Sequence, residues 1–227
     1  MSITCGAFEA FTFGNQKYAE LFGNEIIQSI PPGGVYFGGT DPGRFIVTAL
    51  QKSQVNGDPF FTLTQNALAG GFYLFKINHQ PVPQLSENVI RQDQQYWPHL
   101  MAPMIGDWLK TDTSLPEITA FAEKIRHHDF SGFTGDRAFV QNDYSRKMFS
   151  AARAHIADLY VWRMNQATAT DEKDRMAHAA DFAFRQALAL CPYHQEAAKA
   201  YEDFLKSQNR SSDADLIHGM AVRFPSS

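Results

Sequence analysis

From 144 to the C-terminus the apolar residues return at every third or fourth position, the spacing of helices that bury one side. Four helices are predicted. The first, 144–165, aligns Met148, Phe149, Ala152, Ile156, Leu159 and Tyr160 on one stripe. The second, 172–191, aligns Met176, Ala180, Ala183, Phe184, Ala187 and Cys191. The third, 194–207, carries Ala197, Ala198, Tyr201, Phe204 and Leu205, and the fourth, 213–224, carries Ile217, Met220, Ala221 and Phe224. The N-terminal part is patterned differently. A helix is predicted over 15–29 from Tyr18, Leu21, Phe22, Ile26 and Ile27, and Pro31-Pro32-Gly33-Gly34 stops it, because proline cannot continue the hydrogen-bond ladder. Two short apolar runs then read as strands, Val35-Tyr36-Phe37 and Phe60-Phe61-Thr62-Leu63-Thr64, with a helix over 45–51 between them. Strand, helix, strand in that order predicts a parallel βαβ crossover.

The middle of the chain is less regular. Residues 67–78 fit strand or helix, and 81–110 predict helix in two pieces divided at Pro98. Ser114-x-x-Glu117 is a capping-box pattern. It opens a helix with Leu115, Ile118, Phe121, Ala122 and Ile125 on one face. Residues 127–143 hold Gly, Asp and His and predict a long loop. The expected architecture is an α/β segment over 1–142, built on a small parallel sheet, followed by an all-α region over 143–227.

That all-α region repeats. Ala180 and Ala214 are 34 residues apart, as are Ala187 and Ala221, and 34 is the tetratricopeptide period. Ala180, Phe184, Ala187 and Pro192 resemble the second half of such a unit, while the preceding half is poor in consensus residues. The region has room for about two repeats, and a generic helical bundle is the competing reading. Repeats of this kind present a groove to a peptide or protein partner, or serve as plain packing.

The sharpest local signal is Gly38-Gly39-Thr40-Asp41-Pro42-Gly43-Arg44, directly after the first strand. Two glycines permit close approach of a ligand. Thr40 or Asp41 can cap the next helix, whose free N–H groups favour anions. Arg44 adds a guanidinium fork for carboxylate or phosphate. Ligands of open α/β sheets sit at the strand ends, so Gln65 and Asn66, closing the second strand, join the candidate site. It would take a sugar-like or anionic small molecule. The loop is neither a Walker loop nor GxGxxG, and a tight turn with a local Asp41–Arg44 ion pair explains it equally well.

Ile30 to Phe45, with Thr64-Gln65-Asn66-Ala67-Leu68-Ala69 and the run Ala152-Arg153-x-x-Ile156-Ala157-x-Leu159-Tyr160-x-Trp162-Arg163, resembles the C-terminal region of bacterial multi-pass membrane proteins similar to protein O-mannosyltransferases. The resemblance implies an accessory domain of a glycosyltransferase-like system that binds glycan, peptide or the transferase, without transferring sugar by itself.

Composition narrows the rest. The formal charge is −4 and the pI about 6.0, without the basic field of a nucleic-acid binder. Cys5 and Cys191 form no CxxC pair, and Cys191 reads as a small core residue. His127-His128-Asp129 has no third ligand at useful spacing, so neither metal nor cofactor is expected. The Met1 to Gly6 start lacks signal-peptide features, and no apolar run is long enough to span a membrane. The expected location is cytoplasmic for a chain complete as written, extracytoplasmic for a piece of the family it resembles. No catalytic constellation is legible. The functional expectation is therefore a binding or interaction domain. A transferase acting on a nucleotide- or sugar-like substrate at the Gly38–Arg44 loop is the first alternative, and a scaffold without ligand the second.

Overall fold

The computed structural model describes residues 12, 15–30, 35–37, 46–47, 50, 61–63 and 87–223. The chain divides into two compact units, Met1–Ser86 and Glu87–Ser227. The sequence-based division at 142/143 falls inside the second unit, at Asn142, which caps a long helix.

In the first unit, α1 runs Gln16–Ser29, and the Asn15 side chain accepts from the Lys17 N–H to cap it. It buries Tyr18, Ala19, Phe22 and Gly23. A Cβ on Gly23 would stand 2.6 Å from Ile46 Cγ2 and 2.5 Å from Leu50 Cδ1, so a glycine here allows that close contact. β1, Val35–Phe37, pairs in parallel with β2, Phe61–Leu63, in the register Val35 to Phe61. The α/β expectation is overturned. The described residues are overwhelmingly helical, and their β-structure amounts to this one pair of three-residue strands. Two such strands offer no layer on whose faces helices could pack, which an α/β fold requires.

The second unit is wholly helical among the described residues. It contains α2 (Glu87–Ile105), α3 (Leu115–Arg126), α4 (Arg137–Val140), α5 (Asp143–Gln166), α6 (Thr170–Leu190), α7 (Gln195–Ser207) and α8 (Ser211–Arg223). α2 continues through Pro98 and Pro103, where the sequence predicts a division at Pro98. Burial of Trp97, Met101, Met104 and Ile105 holds the helix together against the lost backbone bonds. α3 opens with the expected capping box: Ser114 Oγ accepts from the Glu117 N–H, and Glu117 accepts from the Ser114 N–H at 2.7 Å. The segment before α5 folds back on α2. Asp136 N–H donates to Met104 O at 3.1 Å, and a Cβ on Gly135 would stand 2.6 Å from that carbonyl oxygen. Within the predicted loop 127–143 the structure places the short helix α4.

α5 and α6 form a long hairpin, and α7 and α8 a shorter one. α7 packs on both α5 and α6. Alanines on the inner faces, among them Ala154 and Ala157 on α5 and Ala179, Ala180, Ala183 and Ala187 on α6, let the helix axes approach closely. At the junction of α6 and α7, Phe184 stacks on Tyr201 at 5.2 Å and lies 5.7 Å from Phe204. Ile156 is half-buried and Leu159 is exposed, so the buried stripe of α5 runs instead through Phe149, Arg153, Ala157 and Tyr160.

His194, preceding α7, is half-buried, with Nδ1 3.0 Å from Ser150 Oγ. Burial lowers its pKa below the usual 6.5, against the opposing pull of Glu196, with His155 and Lys147 adding to the lowering. As pH falls below that ordinary value the unfolded chain takes up a proton that the folded chain refuses. Stability is therefore present above pH ~6.5 and lost below it, until the folded value is passed. Urea unfolding at pH 7.5 and 5.5 should show a larger drop for the native chain than for His194→Gln. Equal drops in the two proteins would remove His194 as the cause.

Candidate functional site

Three helices of the second unit meet around a buried ion pair. α2 presents Asp93 and Trp97, four residues apart and hence on one face. α5 presents Arg153 and Tyr160, two turns apart, and α6 presents Gln186. Arg153 Nη1 donates to both Asp93 oxygens, at 2.9 and 2.8 Å, and Nε donates to Gln186 Oε1 at 2.7 Å. The Trp97 ring lies 4.9 Å from the guanidinium carbon. Tyr160 O–H donates to Asp93 at 2.5 Å. Arg153 is 1% exposed. Burial pulls its pKa down and the Asp93 carboxylate opposes that, while burial and then Asp93 raise the Tyr160 phenol well above its usual value. The guanidinium thus stays charged, with its fork fixed in place.

Beside this pair lies a hollow of about 750 Å³, within the ordinary size range of small-molecule sites. One stripe of α6 supplies Arg175, His178, Phe182 and Arg185, α2 supplies Ile90, Arg91 and Gln94, and Arg153 closes the wall. Among the described residues four arginines therefore line it, and no carboxylate does. Arg185 is held from behind. Its Nη1 donates to Thr113 O at 2.6 Å and its Nη2 lies 2.9 Å from Asp181, leaving Nε buried without a partner. Asp181 in turn accepts from Tyr201 at 2.8 Å and from Arg210 at 2.6 Å. Arg91 and Arg175 are exposed at the rim. Ile90, Met176 and Phe182 give the hollow an apolar side. Such a cavity suits an acid carrying an apolar or ring-shaped body, gripped by guanidinium forks.

The sequence-based candidates Gly38, Gly39, Thr40, Asp41, Arg44, Gln65 and Asn66 lie outside the described residues. The arginine hollow was not foreseen. Its nearest sequence signal is Arg153 itself, a cation four residues from Phe149 and four from Ala157 in an otherwise apolar stripe. Trp97, beside Pro98, is the aromatic face over that cation. Cys191 is free and fully buried. Burial pushes its thiol up to about 11, with Arg146 pulling the other way, which is the chemistry of an inert core thiol. Among the described residues no three His, Cys, Asp or Glu side chains converge as metal ligands would, and no helix is long and apolar enough to cross a membrane. Comparison with protein-family models, with curated proteins and with solved structures finds no match to the chain.

Proposed function

We propose that this protein is a non-catalytic binding domain whose helical unit takes an organic anion in the hollow between α2 and α6. The observation that carries this reading is the lining: Arg91, Arg153, Arg175 and Arg185 around one cavity, without a carboxylate among the described lining residues. Two of the four are immobilised beforehand, which lowers the ordering cost of binding. Among the described residues the lining hydroxyl, Thr111, makes no hydrogen bond to the lining imidazole, His178, so no activated nucleophile stands ready and recognition is favoured over turnover. The resemblance to glycosyltransferase-like membrane proteins implies a domain that binds glycan, peptide or the transferase, and the arginine-lined hollow fits a sugar-linked acid, a sugar phosphate or nucleotide sugar, within such a system. Exposed Leu159 and Trp162 on α5 support a protein partner docked on the helical hairpins.

Calorimetric titration of the full chain with glucose 1-phosphate, UDP-glucose and neutral maltose tests the reading. The two anions should bind and maltose should not. Arg175→Ala, at an exposed position, should weaken anion binding about tenfold, as expected for one charge-assisted hydrogen bond. Equal affinity of Arg175→Ala and the native chain, or no binding of either anion, rejects the hollow as the site. Loss of binding in Arg44→Ala alone moves the ligand to the Gly38–Arg44 loop, and hydrolysis or transfer of the bound nucleotide sugar there would favour the transferase alternative.

A further inference from the structure

A second cationic hollow stands at the start of α5, and we propose that it is a site for a different ligand, a small acid whose oxyanion is held by Arg146. Arg146 is 4% exposed. Its Nε donates to Leu190 O at 2.8 Å and its Nη1 to Val140 O at 3.3 Å, and the Tyr193 ring covers the cation at 5.0 Å. These contacts fix the guanidinium plane without neutralising it. Nη2 is buried with no acceptor. Among the described residues no carboxylate comes within ion-pair distance of Arg146, whereas Arg153, equally buried, has Asp93 at 2.8 Å. Arginine keeps its proton at physiological pH, and a buried charge without a counter-charge is costly. An unsatisfied buried donor in a native fold points to a missing water or ion.

The surroundings point to an ion with an organic body. Arg146 borders a hollow of about 420 Å³, and Arg126 and Arg223 line it too. Glu123 is shared loosely between those two, at 3.6 and 3.9 Å. The lining carboxylate, Asp143, accepts from Tyr193 O–H at 2.6 Å. Ile125, Val140 and Pro192 form an apolar wall that a bare inorganic ion would leave uncovered. The ligand class is therefore a carboxylate or phosphate monoester on a short apolar body.

The test titrates the full chain with hexanoate, phenyl phosphate and inorganic phosphate, reading the arginine side-chain Nε–H signals by NMR and the midpoint of thermal unfolding. At least one organic acid should shift the Arg146 signal saturably and raise the midpoint, with inorganic phosphate weaker. Hexanoate and phenyl phosphate separate the carboxylate from the phosphate source. Arg146→Lys, which keeps the charge but loses the fork, should weaken binding about tenfold. Arg223→Ala, at an exposed position, should weaken it about threefold to tenfold and carries the test if Arg146→Lys does not fold. Arg175→Ala should leave it unchanged, which separates this site from the hollow between α2 and α6. An Arg146 signal unmoved by all three compounds overturns the proposal, as do equal responses of the native chain and Arg223→Ala.

Discussion

Asp93→Ala is expected to cost about 3–5 kcal/mol of stability, the usual penalty for breaking a buried ion pair from one side. The size follows from what is left behind. Arg153 is 1% exposed and, among the described residues, would keep the Gln186 carbonyl as its hydrogen-bond acceptor and the Trp97 ring over its plane, with no carboxylate. It cannot escape by losing its proton. Tyr160 would also lose its acceptor. Removing the other partner should cost less, because the Asp93 side chain is 15% exposed and its carboxylate can gain water once Arg153 becomes Met. The double variant Asp93→Ala/Arg153→Met should then lose less than the sum of the two single changes, since no uncompensated charge remains. Urea unfolding of the native chain and the three variants closes the cycle. A cost under about 1 kcal/mol for Asp93→Ala would place the pair among exposed ion pairs in energetic terms and contradict the burial argument.

Phe184→Ala should cost a similar 3–5 kcal/mol, the range for truncating a buried phenylalanine. The ring is 1% exposed and is held between Tyr201 and Phe204. Its loss would open a cavity at the seam between α6 and α7, bounded by aromatic rings too stiff to collapse into it. Phe184→Leu restores most of the volume and should cost about 1–1.5 kcal/mol. Hydrogen exchange should rise in α7 and α8 more than in α3, because the shorter hairpin docks through this cluster. Anion affinity of the folded fraction should stay unchanged, since Phe184 does not line the hollow. A cost under about 1 kcal/mol, or faster exchange confined to α3, would show that the hairpin is anchored elsewhere.

The arginine-lined hollow was far less legible in the sequence than the helices around it. Asp93 and Arg153 are 60 residues apart in the chain, and nothing local marks them as partners. Asp93 sits in a polar run, Asp93-Gln94-Gln95, that reads as a solvated face. Arg153 was visible as part of a family-like run, yet a lone cation on a helix usually faces water. The same holds for Arg146, whose burial comes from residues far from it in sequence. Leu159 shows the opposite error. An apolar residue next to the stripe was assigned to the core, although the stripe turns away from it by less than one turn.

Local chemistry alone determined the spans of α3 and of α5 to α8, the Ser114 cap and the small-residue faces of the hairpins. Each depends on side-chain spacing within a few residues or on a hydrogen bond that closes within one turn, and such signals survive without a partner. Only the tertiary structure decided that α2 runs on through its prolines, that the α/β pattern amounts to two three-residue strands, and which arginines are buried. Burial, counter-charge and the cost of a broken backbone bond are set by whatever packs against a residue. In this chain the elements that do so are brought in from tens of residues away.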